Sequence, residues 1–333
     1  MARIFVVGSG VVGTATGRGF SDMGHEVTFI DVLPSKVHAL AELGHDARFE
    51  LDLAGEPDSY IFLTLPTPNS GHSYDLTAFE AGTRAVGQAL AGTAGMHTVV
   101  VRSTVPPTTC DTVVAPILEA ESGKQAGVGF QLASNPEFLR AASAAEDFRW
   151  PWMTVVASRN RRTAERLGDL LAPFGGELRM FSDPVQAELI KCAHNIYNAT
   201  KISFWNEMWL VAEKLGVPLD TVAATVARSA EASFNIDYGI RGGAPYGGAC
   251  LPKDTKGFLG FAAEIGVDMP VLEAVVSVND TIAAHVDREL ERAIDDAPAA
   301  SVLDLRSGGS AARVNGNGSL PAPTNNSQRA LGT

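Results

Sequence analysis

The chain is poor in cysteine, which limits the kinds of fold and compartment that suit it. Among its 333 residues there are 3 cysteines, Cys110, Cys192 and Cys250. An odd and sparse set does not suit a secreted domain held together by disulfides. The amino terminus is typical of a strand, without the charged and apolar segments of a leader peptide. We therefore expect free thiols and a cytoplasmic location.

Positive charge and long apolar runs are scarce as well. The formal net charge is -12 at pH 7, so the chain as a whole is not expected to bind nucleic acid. No apolar segment approaches the roughly 20 residues that a membrane-spanning helix needs, so no membrane partner is expected. What the chain does have is length, because 333 residues allow two domains with full cores.

The first motif is a glycine-rich turn between a strand and a helix. Residues Arg3–Val7 form a short apolar run, which predicts a buried parallel strand. The turn GSGVVG follows at once and opens a helical pattern. Gly8 permits the tight turn, Gly10 admits a pyrophosphate, and Gly13 lets the helix pack on the strand. We expect a dinucleotide to contact Gly8, Gly10, Val11, Val12 and Gly13.

An acidic residue ends the second predicted strand. The run Glu26–Ile30 is followed by Asp31, in the position where a carboxylate accepts hydrogen bonds from the ribose of a dinucleotide. The same charge would repel the additional phosphate of NADP. The sequence therefore predicts NAD as the cofactor.

Hydroxyl side chains follow two further apolar runs, at Thr67-Pro68 and at Ser103-Thr104. The carboxyl ends of parallel strands line the ligand crevice of such sheets, so we expect Thr67, Pro68, Ser103 and Thr104 to contact the cofactor. The hydroxyls could equally cap the helices that follow. Strand and helix patterns alternate to about Phe181, which predicts an α/β fold with a Rossmann-type doubly wound parallel sheet.

Charged and polar residues of two later segments are candidates for catalysis. In the segment SNPEFLR, Glu137 could be a solvated loop acid or, inside a cleft, a base that activates water. The pattern over residues 188–215 predicts a long helix that connects two domains. On this helix Lys191 and Asn195 share a face, where an ammonium and an amide could stabilise an oxyanion. The alternative is a solvent-facing lysine and a capping asparagine.

The segment GGACLPKD, residues 247–254, combines the features of a nucleophile site. Its glycines let the backbone approach a ligand, and Pro252 suits the start of a helix. Cys250 would lie just before that helix, where the helix end favours a thiolate. Asp254 is one turn later, so its carboxylate could lie near the sulfur. The alternative is a buried, inert cysteine after a glycine turn.

Changes in pattern divide the chain into three parts. We expect an NAD-binding Rossmann domain over residues 1–183 and an all-helical central domain, which carries Cys250, over residues 184–296. Residues 297–333 are rich in Gly, Ser, Asn and Pro and have few large apolar side chains. Such a segment cannot bury enough surface to fold alone, so we expect a disordered tail.

In their order, these motifs resemble the UDP-glucose/GDP-mannose 6-dehydrogenase family. The resemblance covers roughly residues 1–295, which would be the first two of the three domains in that family. It implies NAD-dependent oxidation of the primary alcohol at C6 of a nucleotide sugar, or a related sugar or nucleoside, to a carboxylate. A homodimer through the central helices is also implied, and no metal. The motifs are GSGVVG (8–13), PTP (66–68), STVP (103–106), NPEFLR (135–140), ELIK (188–191), Asn206-Glu207 and GGACLPKD (247–254).

The resemblance implies a role for each candidate residue. Cys250 would capture an aldehyde as a thiohemiacetal and then carry a thioester. Lys191 and Asn195 would stabilise the oxyanions, and Glu137 would act with water as a general base. Thr104 would position that water, and Asp254 would support Lys191. Substrate contacts would come from Phe138, Leu139, Arg140, Lys191, Tyr238, Arg241, Tyr246 and Gly247.

The chain also departs from the family pattern. Ala141 stands where the family has a second glutamate, and Phe234 stands where it has an arginine that contacts substrate. By the resemblance, we expect no counterpart of the family's C-terminal nucleotide-binding domain in these residues. Two other functions therefore stay open. One is an alcohol dehydrogenase that stops at the aldehyde, and the other is a non-catalytic partner subunit of a full-length relative.

Overall fold

A computed structural model describes residues 1–229, 242–248 and 250–295 of the chain. Three parts of the sequence analysis lie outside the described residues. They are Phe234, the expected substrate contacts Tyr238 and Arg241, and the expected tail. By its internal contacts the chain divides into a first unit, Met1–Ile196, and a second unit that starts at Tyr197. No helix within the described ranges has both the length and the apolar character that a membrane span requires.

The described part of the first unit contains an 8-stranded sheet and a small hairpin. The order across the sheet is β10-β9-β8-β7-β4-β1-β2-β3, while β5 pairs with β6. Because β2 and β4 flank β1 and both run parallel to it, the strand order reverses at β1 and opens a crevice there. The strands are β1 (Arg3–Val7), β2 (Glu26–Ile30), β3 (Asp46–Arg48), β4 (Ser59–Leu63), β5 (Asn69–Ser70), β6 (Ser73–Tyr74), β7 (Thr98–Val101), β8 (Gln131–Ser134), β9 (Met153–Ala157) and β10 (Glu177–Phe181).

Both faces of the sheet are covered, as its apolar strands require. Alternate residues of β1 enter different cores, because Ile4 and Val6 belong to one buried cluster and Phe5 and Val7 to another. The described helices are α1 (Val11–Asp22), α2 (Pro34–Glu42), α3 (Thr77–Leu90), α4 (Ala115–Ser122), α5 (Ala144–Arg149), α6 (Arg161–Leu171), α7 (Pro184–Leu215), α8 (Leu219–Ser229), α9 (Leu251–Glu264) and α10 (Pro270–Asp295).

The sheet is mostly parallel, with one exception that the sequence did not predict. Ser134 of β8 pairs with Ala157 of β9 in the antiparallel direction, and β9 and β10 are parallel to each other. The chain between β8 and β9 forms the short helix α5, which packs on α1 through Phe148 and Phe20. It therefore does not make the crossover helix that a parallel β8–β9 pair would need.

α7 begins in the first unit and continues into the second. The Asp183 carboxylate accepts a hydrogen bond from the Val185 amide at 3.1 Å at its start. In the second unit, Val211 of α7 packs with Ala262, Val267 and Met269 in a small apolar core. The described part of this unit is helical, and the domain limits drawn from the sequence stay predictions.

Candidate active site

The glycine-rich turn has the geometry that a dinucleotide needs. Gly8 has φ +98°, and a Cβ on it would lie 2.7 Å from the carbonyl oxygen of Thr64, so glycine is required there. A Cβ on Gly13 would lie 1.9 Å from the carbonyl oxygen of Gly8. Gly10 caps α1, and the place of its missing Cβ is open space. A phosphate can therefore approach the amino end of α1 at Gly10.

Asp31 follows β2 and binds the same turn. Its Oδ2 accepts a hydrogen bond from the Ser9 amide at 2.6 Å, and its Oδ1 accepts one from the Leu33 amide at 3.0 Å. These bonds fix the carboxylate beside the turn, where it can accept hydrogen bonds from ribose hydroxyls. The open space at Gly10 and the fixed charge of Asp31 together fit NAD.

A cleft of about 1310 Å³ lies at the carboxyl ends of the strands. Two expected cofactor residues do not line it. Gly13 lies beneath the turn, and Pro68 accepts a hydrogen bond from the Asp75 amide at 2.7 Å beside the β5–β6 hairpin. Their contact with NAD stays a prediction. The expected residues that do line the cleft are Gly8, Gly10, Val11, Val12, Asp31, Thr67, Ser103, Thr104 and Glu137.

The hydroxyls of Thr67 and Ser103 hold two loops of the cleft together. Thr67 Oγ1 donates to the carbonyl oxygen of Thr104 at 2.6 Å, and Ser103 Oγ donates to the carbonyl oxygen of Leu65 at 2.7 Å. The helices that follow begin later in the chain, so neither hydroxyl is their N-cap, which was the alternative role. The bonds fix the position of Thr104 at the cleft.

Glu137 and Lys191 form a nearly buried ion pair. Lys191 Nζ lies 3.0 Å from Glu137 Oε1, and the two side chains are 6% and 12% exposed. Glu137 Oε2 also accepts a hydrogen bond from the Leu139 amide at 2.5 Å. The ammonium lies 5.4 Å from the ring centroid of Phe138, which is within cation–π range. The structure thus brings together a carboxylate and an ammonium from separate segments.

Phe138 also contacts two other aromatic side chains. Its ring centroid lies 5.6 Å from that of Trp152 and 5.0 Å from that of His194. Burial lowers the pKa of His194, the charge of Lys191 lowers it further, and Glu137 opposes both. His194 is therefore neutral at pH 7 and adds no second cation beside Lys191.

The remaining predicted residues of the first unit have simpler surroundings. The Arg140 side chain is 77% exposed, and its guanidinium binds Asp147 at 2.6 Å. This bond holds the pKa of Asp147 well below its usual range. Leu139 packs on the apolar core, and Asn195 is exposed on α7. Substrate and oxyanion contacts for these residues stay predictions.

Two buried charges near the site were not predicted to be functional. Arg102 follows β7, lines the cleft and donates from Nη1 to Asn135 Oδ1 at 2.5 Å. Burial lowers the pKa of Arg102 to about 10, although the charge of Glu137 opposes the shift. Glu188, on α7, is 2% exposed. The sequence did offer a signal for each. Arg102 is a charge at the end of an apolar run, directly before Ser103, and Glu188 is a charge one turn before Lys191.

In the second unit, Cys250 is the N-cap of α9 and its thiol is exposed. α9 starts at Leu251, so Pro252 occupies its second position. The Asp254 amide donates to the Cys250 carbonyl oxygen at 2.8 Å and closes the first turn. The Asp254 carboxylate pairs with Lys253 at 2.9 Å. The exposed thiol at the start of α9 is therefore accessible to a ligand.

The loop before Cys250 is held by a residue that the sequence did not single out. Asn279 of α10 accepts a hydrogen bond from the Tyr246 amide at 2.7 Å and donates one to the Tyr246 carbonyl oxygen at 3.2 Å. Gly247 follows, and Gly248 has φ +80°. Two bonds to one residue fix the backbone where the loop turns toward Cys250.

The turn at Gly8, the carboxylate of Asp31 and the cleft at the strand ends define an NAD-dependent dehydrogenase of the Rossmann type. Comparison with known proteins is more specific. Residues 46–175 match the NAD-binding domain of the UDP-glucose/GDP-mannose dehydrogenase family, and residues 185–281 match its central domain. The chain belongs to this family, as the resemblance predicted, and is an NAD-dependent oxidoreductase that acts on CH–OH groups.

Curated relatives and solved structures agree with this assignment. The GDP-mannose 6-dehydrogenase of Pseudomonas aeruginosa is 31% identical over 318 residues, which cover 86% of this chain and 72% of the relative. The UDP-glucose 6-dehydrogenase AglM of Haloferax volcanii is 34% identical over 304 residues, with 84% and 69% covered. A ternary complex of the Pseudomonas aeruginosa GDP-mannose dehydrogenase matches with a TM-score of 0.77 and 30% identity, over 88% of this chain and 70% of that one. The predicted fold class and cofactor are therefore confirmed.

Proposed function

We propose that this protein oxidises the primary alcohol at C6 of a nucleotide sugar, or a related sugar or nucleoside, to a carboxylate. The observation that carries the proposal is the buried pair of Glu137 and Lys191 at a cleft lined by the NAD-binding turn. A carboxylate and an ammonium in that position suit a reaction that both removes a proton and builds negative charge on oxygen. The names of the relatives support a nucleotide sugar as substrate.

Oxidation of a primary alcohol to an acid removes four electrons from the carbon. Bound NAD+ would accept one hydride in each of two rounds. In the first round the alcohol loses a hydride and a proton and becomes an aldehyde. The Cys250 thiolate then adds to the aldehyde carbon and gives a thiohemiacetal. Loss of a second hydride leaves a thioester, and water releases the acid and restores the thiol. The products are the acid, two NADH and two protons.

Each catalytic group has a task in this sequence. Lys191 and Asn195 stabilise the oxyanions that form when thiolate or water attacks carbon. Glu137 takes the proton of the attacking water, which Thr104 positions, and Asp254 supports the charge of Lys191. Glu137 already has a defined geometry for this task, since the ammonium and the Leu139 amide each hold one of its oxygens.

The test is the ratio of NADH to product with purified protein. UDP-glucose, GDP-mannose, UDP-N-acetyl sugars, free sugars and nucleosides form the panel, each beside a Cys250→Ala control. Two NADH for each acid, lost in the control, is the expected result. One NADH for each aldehyde would replace the proposal with a two-electron alcohol dehydrogenase. No turnover, with NAD binding intact and a full-length relative co-purifying, would replace it with a non-catalytic partner subunit.

We also propose a homodimer formed through the central helices. Large apolar side chains are exposed within the second unit, among them Trp209 at 47% and Leu210 at 42% on α7 and Val222 at 41% on α8. Such a surface is typical of a protein interface. Light scattering after gel filtration is expected to give twice the chain mass, and Trp209→Glu is expected to give the monomer. A wild-type monomer at micromolar concentration would contradict the dimer.

A further inference from the structure

The first turns of α7 carry a buried carboxylate that binds another element by its backbone. Glu188 is 2% exposed. Its Oε2 accepts a hydrogen bond from the Thr108 amide at 2.6 Å, and its Oε1 accepts one from the Cys110 amide at 2.7 Å. The Cys110 amide opens the helical segment that runs from Cys110 into α4, and Thr108 lies two residues before it. Burial raises the pKa of Glu188, and the hydrogen bonds from Cys110 and from the Thr108 amide oppose that shift.

The segment that Glu188 binds has a strained backbone. Thr108 has φ +81°, which is rare for a β-branched residue. In this conformation its carbonyl oxygen accepts the first helical bonds, from the Asp111 amide at 3.0 Å and the Thr112 amide at 2.9 Å. Its own amide is directed at Glu188. Strain of this kind persists only where surrounding contacts hold it, and Glu188 supplies two of them.

The stretch of chain before that helix, residues 104–110, contacts α7 a second time and begins at the cleft. Cys192 Sγ donates a hydrogen bond to the carbonyl oxygen of Val105 at 3.5 Å. Thr104, which lines the cleft, stands at the amino end of this stretch. Glu188 and Cys192, which flank Lys191 in sequence, thus both bind this stretch of chain. Since Lys191 is one turn after Glu188, the two side chains share a face of α7.

We propose that Glu188 is a positioning residue that fixes α7 against residues 104–110 and so keeps Lys191 at Glu137. A helix is stiff, so the axial position and rotation set at Glu188 are passed on to the next turn. Without the two bonds at Glu188, α7 can shift relative to the loops of the cleft. A shift of about 1 Å between catalytic groups can cost on the order of 100-fold in rate. The effect of Glu188 on turnover rests on the proposed function, but its effect on the position of Lys191 does not.

Glu207 on the same helix provides a matched control. It is 5% exposed, and its carboxylate accepts hydrogen bonds from the Val271 amide at 2.5 Å and the Leu272 amide at 3.2 Å at the start of α10. Glu188→Gln and Glu207→Gln therefore make the same chemical change in the same setting. Each replaces an accepting oxygen by an NH₂ group that faces a backbone donor.

The experiment measures how fast acetic anhydride modifies Lys191 in the native protein, by peptide mapping, with Lys253 as internal reference. The Lys191 side chain is 6% exposed and that of Lys253 is 73% exposed, so the two rates are expected to differ strongly. Glu188→Gln is expected to speed the modification of Lys191 by about tenfold or more, and Glu207→Gln by less than about twofold. Equal acceleration in both variants, or none in either, would overturn the proposal.

A second measurement connects position to turnover. In Glu188→Gln, kcat is expected to fall by about 10- to 100-fold while the Kd for NAD+ stays within about twofold. If Lys191 is modified faster but kcat is unchanged, Glu188 positions Lys191 without affecting turnover, and only the predicted fall in kcat is overturned. If the wild type oxidises no alcohol of the panel, the proposed function fails, and the modification rates still decide the positioning role. If Glu188→Gln does not fold, Glu188→Asp takes its place, because it keeps the charge on a shorter side chain. We expect Lys191 of Glu188→Asp to be modified at a rate above that of the wild type. A wild-type rate would overturn the proposal.

Discussion

Lys191 Nζ lies 3.0 Å from Glu137 Oε1, and both side chains are almost shielded from water. The carboxylate comes from the loop after β8, and the ammonium comes from the second turn of α7. Attraction between charges is stronger where water is excluded, but each charge also loses its hydration. Such a pair is costly to break from one side, because the remaining charge stays buried without a partner. Its place at the cleft argues for a chemical use.

Removal of either charge is therefore expected to stop turnover and to weaken the fold. Glu137→Gln keeps the shape and a hydrogen-bond acceptor for the Leu139 amide, but it leaves the buried Lys191 ammonium without its anionic partner. We expect kcat to fall by about 10²- to 10⁴-fold and the free energy of unfolding to fall as well. Lys191→Met leaves Glu137 buried and unpaired, at an expected cost of about 3–5 kcal/mol in free energy of unfolding. Urea unfolding and steady-state kinetics measure the two quantities.

The double variant is the control for that pair. Glu137→Gln combined with Lys191→Met removes both charges at once, so it is expected to recover stability relative to Lys191→Met but no activity. Strict additivity of the two losses in unfolding free energy would show that the charges do not interact, against the geometry of the ion pair.

Asp31 offers a test of cofactor choice. Asp31→Asn removes the negative charge and keeps an acceptor for the Ser9 amide, but it loses the bond from the Leu33 amide. We expect the Kd for NAD+ to rise by roughly tenfold, because a neutral amide is a weaker acceptor for ribose hydroxyls. The Kd for NADP+ is expected to fall, because repulsion of its additional phosphate is lost. Calorimetric titration of both cofactors measures the ratio, and an unchanged ratio would mean that Asp31 only supports the turn.

Two glycines of the turn are expected to differ sharply when replaced by alanine. A Cβ on Gly13 would stand 1.9 Å from a backbone oxygen, which cannot move away cheaply, so Gly13→Ala is expected to cost at least about 2 kcal/mol in unfolding free energy. Gly10→Ala meets nothing within 4 Å and is expected to fold normally but to lose NAD+ affinity, since its methyl group stands where the phosphate approaches. Thermal unfolding and NAD+ binding of both variants separate the two effects. A stable Gly13→Ala would contradict the packing of α1 on the turn.

The parts that the sequence predicts are those whose geometry is local. The turn at Gly8, its helix and Asp31 follow one another closely, so their arrangement is implied by the order of residues. The ion pair of Glu137 and Lys191 depends instead on how α7 packs against a distant loop, and each residue alone also suits a solvated surface. The antiparallel pairing of β8 with β9 was not predicted for a similar reason, because apolar strands look alike in either direction. No role was predicted for Glu188, although it belongs to the ELIK motif, because a charge within a helical pattern is usually exposed.

Asn279 shows how one amide can set the loop that carries the proposed nucleophile. Its side chain makes both a donor and an acceptor bond with the backbone of Tyr246. At about 0.5–1.5 kcal/mol for each bond, Asn279→Ala is expected to speed hydrogen exchange at the Tyr246 amide by about 10- to 100-fold. Asn279→Asp keeps the acceptor for that amide and is expected to exchange more slowly than Asn279→Ala.

The neighbouring residue on α10 supplies the control for Asn279. Asp280 pairs with Lys256 at 3.6 Å, with both side chains 60% exposed, and such surface pairs contribute little. Asp280→Asn is therefore expected to leave exchange at Tyr246 unchanged. If the loop must hold Cys250 for the reaction, turnover is expected to fall in Asn279→Ala but not in Asp280→Asn. Faster exchange at Tyr246 with full turnover would mean that the clamp stabilises the loop without serving the nucleophile.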